Sequence, residues 1–151
     1  MRLWRSSDHT DLSGRGGLRI SGRWHSGGAR VVYLSDHPAS TLVETLVHLE
    51  VDPEDVPDTF QLLAVELPDT VRFEAIEEVQ LAVGWREDQS ITRDLGDRWL
   101  RDNRTALLRV PSAIVPAAAN WLLNPAHPDS AKARIAEIIR APFDPRLFKA
   151  N

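Results

Sequence analysis

The chain has no cysteine, one methionine, one tyrosine and, among its 18 basic residues, two lysines, Lys132 and Lys149. Each shortage removes a class of explanation. Without cysteine there is no disulfide framework and no thiolate metal site, and the composition fits a protein of the reducing cytoplasm. No uninterrupted apolar run approaches the roughly 20 residues needed to span a bilayer, so no membrane segment is expected. The opening "MRLWRSSDHT" lacks the apolar centre of a signal peptide. The net charge is −4, which leaves no basic excess to hold a nucleic-acid duplex. His9, His25, His37, His48 and His127 are scattered, and no H-E-x-x-H helix occurs, so no metal site is expected.

What is present is an ordinary globular mix. The 151 residues are 42% hydrophobic and 26% charged, enough to bury one core, and a single domain over residues 1–151 is expected. There is no internal repeat. "LWRSS" at 3–7 reads as a short strand. The Gly- and Ser-rich stretch 11–28 reads as a long ordered loop. Residues 29–35 form a strand by their β-branched and aromatic content. Residues 36–50 predict a helix, capped by Asp36 or Ser35, with Pro38 in its first turn and Leu42, Val43, Leu46 and Leu49 as its apolar stripe. A turn is expected over 51–58 and a buried strand over 59–68. Residues 71–79 fit a strand or a short helix. Residues 90–103 predict a helix with Ile91, Leu95, Trp99 and Leu100 inward, weakened by Gly96. Strands follow at 106–112 and 119–124, a helical turn near 128–134, and a strand or helix at 135–143. Strands and helices mix without regular alternation. The fold class is therefore α+β, with mixed or antiparallel sheets and flanking helices.

Several polar residues ask for a reason. Arg23 lies in "SGRWHSGG", where flanking glycines let a ligand approach the backbone. An arginine there, anchored by Trp24, suits a diphosphate, because its planar fork matches phosphate oxygens in pairs. The plainer reading is a surface arginine on a turn. Neither a Walker loop nor a dinucleotide-binding glycine fingerprint is present. Tyr33 sits in an apolar strand, as a core residue or as a platform for a flat ring. Glu44 shares a helix face with Thr41, Thr45 and His48. That face is solvated, or Thr41-x-x-Glu44 is a late capping box, or Glu44 is aimed with Tyr33 into a cleft. Ser112 follows Pro111 with no nucleophile elbow around it, so it reads as a hydrogen-bond donor or a turn serine. Asn124 and His127 bracket Pro125, as ligand contacts or as turn closers.

Together these residues resemble the RES-domain family, the toxin half of bacterial toxin–antitoxin pairs. The resemblance rests on "SGRWHSGGARVVYLSDHPASTLVETLVHLE" at 21–50, "LGDRWL" at 95–100 and "LLRVPSAIVPAAANWLLNPAHPD" at 107–129. Arg23, Glu44 and Ser112 match the arginine, glutamate and serine for which the family is named. Tyr33 matches its strand tyrosine, Asn124 its Asn-Pro-x-His asparagine, and Arg5 its early arginine. The family often has asparagine after Arg-Trp, where this chain has His25. The resemblance implies a fold similar to ADP-ribosyltransferases and a cleft that binds NAD+, cleaved at its nicotinamide–ribose bond with water or phosphate as acceptor. Transfer of ADP-ribose to a protein and a catalytically silent adaptor are the alternatives. It further implies Arg23, Glu44 and Ser112 as catalytic residues, with Arg5, Tyr33 and Asn124 also contacting NAD+. An Xre-type antitoxin is the implied partner, with a homodimer or larger complex possible.

Overall fold

Leucine, valine and isoleucine concentrate in short runs, and in a computed structural model these runs become the strands of one sheet. The structure describes residues 1–49 and 56–148. Its strands are β1 (Arg2–Ser6), β2 (Val32–Ser35), β3 (Thr59–Glu66), β4 (Phe73–Ala75), β5 (Leu107–Pro111), β6 (Ala119–Leu123) and β7 (Arg134–Pro142). They form a seven-stranded sheet in the order β4-β5-β6-β2-β1-β3-β7. Every neighbouring pair is antiparallel except β4 with β5. Two helices, α1 (Pro38–His48) and α2 (Gln89–Asp102), complete an α+β domain.

The ambiguous segments resolve by pairing. Residues 73–75 become a strand because they lie along β5, with Phe73 opposite Leu107. Glu78–Gln80 then turn into one 3-10 turn. Residues 134–142 become a strand because β3 offers them a full-length partner. Proline-led residues Pro128–Lys132 form the expected helical turn. The cap of α1 is His37, whose Nδ1 accepts from the Ala39 N–H at 3.1 Å, rather than Asp36 or Ser35. Asp36 instead accepts a hydrogen bond from the Trp121 indole. The expected stripe of α1 is only half-buried, and the buried residue of that helix is Thr41. Residue 50 of the expected helix and 51–55 of the expected turn lie outside the described residues.

The pleat sorts side chains onto two faces. Register sets Tyr33 against Leu122 and Ser35 against Asn120, with Leu108 and Val110 next to them. This face packs with Trp24, Trp85 and Trp99, all buried. The other face carries Leu3, Val32, Leu34, Leu107, Trp121 and Leu123. The α2 helix and the glycine-rich loop pack on the first face through these tryptophans; on that face Ser35 and Ser112 are buried, while Tyr33, Glu44 and Asn120 are half-buried.

Leu63 on β3 is fully buried. Replacing it with alanine should cost about 2–5 kcal/mol of stability. Val83→Ser, at a side chain left open to solvent, should change stability by no more than about 0.5 kcal/mol. Paired denaturant melts measure both.

Candidate functional site

A glutamate on a helix that faces a sheet needs hydrogen-bond donors, and two strands supply them. Ser112, just past β5, donates its hydroxyl to Glu44 Oε1 at 3.0 Å. Asn120 on β6 donates its amide to the same oxygen at 2.7 Å. Asn120 Oδ1 in turn accepts from the Ser35 hydroxyl at 3.1 Å. Ser112 is held from behind, since its Oγ accepts from the N–H groups of Ile114 and Val115 at 3.1 and 3.0 Å. With both lone pairs and its proton engaged, this hydroxyl orients Glu44 and is not free to attack. Oε2 accepts no hydrogen bond among the described residues, which leaves acceptor capacity on the carboxylate.

Arg23 is mounted by different means. Thr92 on α2 donates its hydroxyl to Arg23 O at 2.6 Å, and Arg93 Nε donates to Gly22 O at 2.9 Å. Asp97 accepts from the Ser26 N–H at 2.8 Å. These residues share one side of α2 with Gly96. A Cβ at Gly96 would lie 1.7 Å from Trp24 O, so the glycine is what allows the loop to lie on the helix. The Arg23 guanidinium spends one donor on Trp85 O, at 3.2 Å. Its other N–H groups make no further hydrogen bond among the described residues.

Tyr33 joins the two halves. It lies two residues from Ser35 on the same face of β2, roughly 7 Å along the strand. Its hydroxyl accepts from the Trp24 N–H at 3.1 Å and sits 2.8 Å from His25 Nδ1. Burial raises its pKa, so the phenol stays protonated. A row therefore runs along one face from the loop that carries Arg23, met at the Trp24 N–H, through Tyr33, Ser35, Asn120 and Glu44 to Ser112.

Two expected site residues stand apart from this row. Arg5 alternates with Trp4, which pairs with Ser35, so Arg5 belongs to the opposite face. Its Nη1 donates to Asp11 O at 2.8 Å. Asn124 lies four residues beyond Asn120, roughly 13 Å along the chain. Its amide donates to Asn103 Oδ1 at 2.9 Å and its carbonyl accepts from the Ala126 N–H at 3.0 Å, which closes the turn before Pro125 and ties it to the end of α2. His127 caps the next turn by accepting from the Asp129 N–H at 3.1 Å. Arg23, Tyr33, Glu44 and Ser112 line neither of two open hollows of about 540 and 410 Å³, while Asn124 lines the smaller and His127 the larger. Among the described residues no group of three His, Cys, Asp or Glu side chains could hold a metal ion, and no helix is long and apolar enough to cross a membrane.

Sequence reasoning missed Asn120 and Ser35. Their signal was parity, because Asn120 falls two residues before the inward Leu122 and shares its face. It also read Gly96 as a weak point of the helix, where the structure makes it the seat of Trp24.

A family model for the RES domain matches residues 2–144. The chain belongs to the RES-domain family. The chain is 50% identical over 148 residues to "Toxin Res" of Pseudomonas putida, covering 98% of this chain and 100% of that protein. It is 36% identical over 149 residues to the "Prs ADP-ribosylating toxin" of Sphingobium sp., covering 96% and 91%. A similar fold is seen in a crystal structure of the M. tuberculosis MbcT–MbcA toxin–antitoxin complex, with a TM-score of 0.74 at 18% identity, over 97% of this chain and 86% of that one.

Gly96→Ala should lower stability by about 1–3 kcal/mol through the clash with Trp24 O. It should also increase solvent quenching of tryptophan fluorescence, because Trp24 leaves its seat. A variant with the parent's melting point and quenching would contradict the proposed seating of the loop.

Proposed function

We propose that this RES protein is the toxin of a toxin–antitoxin pair, and that it binds NAD+ and cleaves the bond between nicotinamide and ribose. The observation that carries the reading is a fixed carboxylate, Glu44, on the same sheet face as Tyr33 and the Arg23 loop. Rupture of that bond builds positive charge on the ribose while neutral nicotinamide leaves. A carboxylate already held in place beside the developing charge lowers the barrier without reorganising. Oε1 stays with Ser112 and Asn120, and Oε2 meets the ribose. Water or phosphate then bonds to the anomeric carbon and releases its proton, giving ADP-ribose or its 1″-phosphate.

The other residues take roles that follow from their contacts. Arg23 offers its free N–H groups to the diphosphate. Tyr33, flat and protonated between Arg23 and Glu44, packs against the nicotinamide riboside. Ser112 positions Glu44, as does Asn120. Arg5 and Asn124 support the site at a distance, the first through the loop at Asp11 and the second through the turn behind α2. The partner is an Xre-type antitoxin that covers this face of the cytoplasmic toxin.

A second reading has its own support, the relative named as an ADP-ribosylating toxin. In that case a protein side chain replaces water as acceptor, with the same residues acting on NAD+. Incubation with labelled NAD+ separates the two, since label stays in small molecules or moves onto a protein band.

Glu44→Gln should keep the fold, because the amide oxygen still accepts from Ser112 and Asn120, and should slow NAD+ consumption roughly a hundredfold or more. Parent-rate turnover by the purified variant would remove Glu44 from the chemistry. Arg23→Ala should act mainly on KM for NAD+. Asn120→Ala should lower kcat about tenfold, as one hydrogen bond to a charged acceptor is lost. Product analysis with and without phosphate names the acceptor.

A further inference from the structure

His25 is buried, yet it belongs to no apolar cluster and the reaction does not use it. Three polar groups surround its ring. Nδ1 lies 2.8 Å from Tyr33 Oη and 3.1 Å from the Gly22 N–H, and Nε2 lies 3.3 Å from Gly17 O. Hydrogen accounting selects one tautomer. The Gly22 N–H, which also donates to His25 O at 3.0 Å, can only donate, so Nδ1 presents its lone pair and the Tyr33 hydroxyl hydrogen points to it as well. Nδ1 is then the acceptor and Nε2 carries the hydrogen toward Gly17. The neutral ring thus ties three segments, the turn at Gly17, the Gly22–Trp24 loop and β2.

We infer that His25 is a positioning residue that keeps Arg23 and Tyr33 in register while it is neutral, and that its protonation releases them. This rests on the proposed NAD+ site for what the register serves. An imidazolium has no lone pair at Nδ1. Its new hydrogen would face the Gly22 N–H and force the Tyr33 hydroxyl to turn away. The charged groups facing the ring are Asp97 and Arg93, both on α2, which act in opposite directions. The carbonyls of Gly17 and Ile20 favour the charged form, and burial outweighs them, so its pKa lies below the usual histidine value. With a folded pKa below the unfolded one, the clasp's contribution to stability is complete above the unfolded value of about 6.5 and is lost as pH falls through the lower, folded pKa, where the ring itself takes up its proton.

The test compares the parent with His25→Asn and His25→Leu. An asparagine Oδ1 stands where Nδ1 stands and accepts from Tyr33 and Gly22, but it does not titrate. KM for NAD+ in the parent should rise about fivefold as pH falls from about 7.5 through the folded pKa of His25, the equivalent of about 1 kcal/mol, relative to the asparagine variant over the same range. The leucine variant should show the raised KM throughout. Amide exchange without NAD+ gives the independent readout: protection at Trp24, corrected for intrinsic rate, should fall at acid pH in the parent and not in His25→Asn. Equal pH profiles of protection in those two proteins would overturn the inference. Loss of protection in a parent that never consumes NAD+ would uphold the clasp and overturn the proposed function instead.

Discussion

The hydrogen bonds from Ser112 and Asn120 to a single oxygen of Glu44 organise the rest of this site. They link α1 to two strands that are distant in sequence, and they depend on β2, β6 and β5 being neighbours in the sheet. The α1 helix has a stripe that is only half-buried, so apolar packing alone does not fix its rotation. The carboxylate does part of that work. A charged group that is a tether and, in the reaction proposed, also the electrostatic element carries an inherent tension, because each donor that fixes it also takes some of its negative charge. Concentrating both donors on Oε1 resolves this, since Oε2 keeps its acceptor capacity.

The opposite end of the row is built on another principle. Arg23 is held by its backbone, with carbonyls of Gly22 and Arg23 bonded to α2 and the Trp24 carbonyl pressed against Gly96. The guanidinium itself is scarcely engaged. A fixed main chain with a loosely held cationic head suits an anion of some conformational freedom, such as a diphosphate. Glu44 is the reverse case, with a side chain fixed at its tip. The difference matches the demands of positioning a reacting centre and of gripping a linker.

Most of the fold was legible in the sequence because strands and helices here have clear periods. The strand at 59–66, the α2 helix and the two strands around Ser112 follow from apolar spacing. The failures have one physical character: they depend on partners remote in sequence. Residues 135–143 look equally helical or extended until β3 is beside them. Asp36 looks like a helix cap until the Trp121 indole reaches it. The site divides the same way. Arg23, Tyr33, Glu44 and Ser112 were picked out by their settings and by family resemblance, while Asn120 was passed over for Asn124, which has the more conspicuous proline neighbour. Proline marks a rigid backbone, and at Asn124 that rigidity closes a turn. At Ser112 it fixes a donor.

Tyr33 shows why the two halves must be considered as one unit. Its hydroxyl accepts from the Trp24 N–H of the Arg23 loop, and Ser35, two positions on, reaches the Glu44 group through Asn120. A strand is stiff along its length, so the spacing between the two halves is set by the rise of β2 and not by any loop. Variation in the glycine-rich loop can alter how Arg23 is presented, but it cannot change the distance from Tyr33 to Glu44. The dinucleotide proposed for this face is a molecule whose diphosphate and reacting ribose are a fixed number of bonds apart. A rigid ruler between the two grips is what recognition of such a molecule requires, and the sheet supplies it.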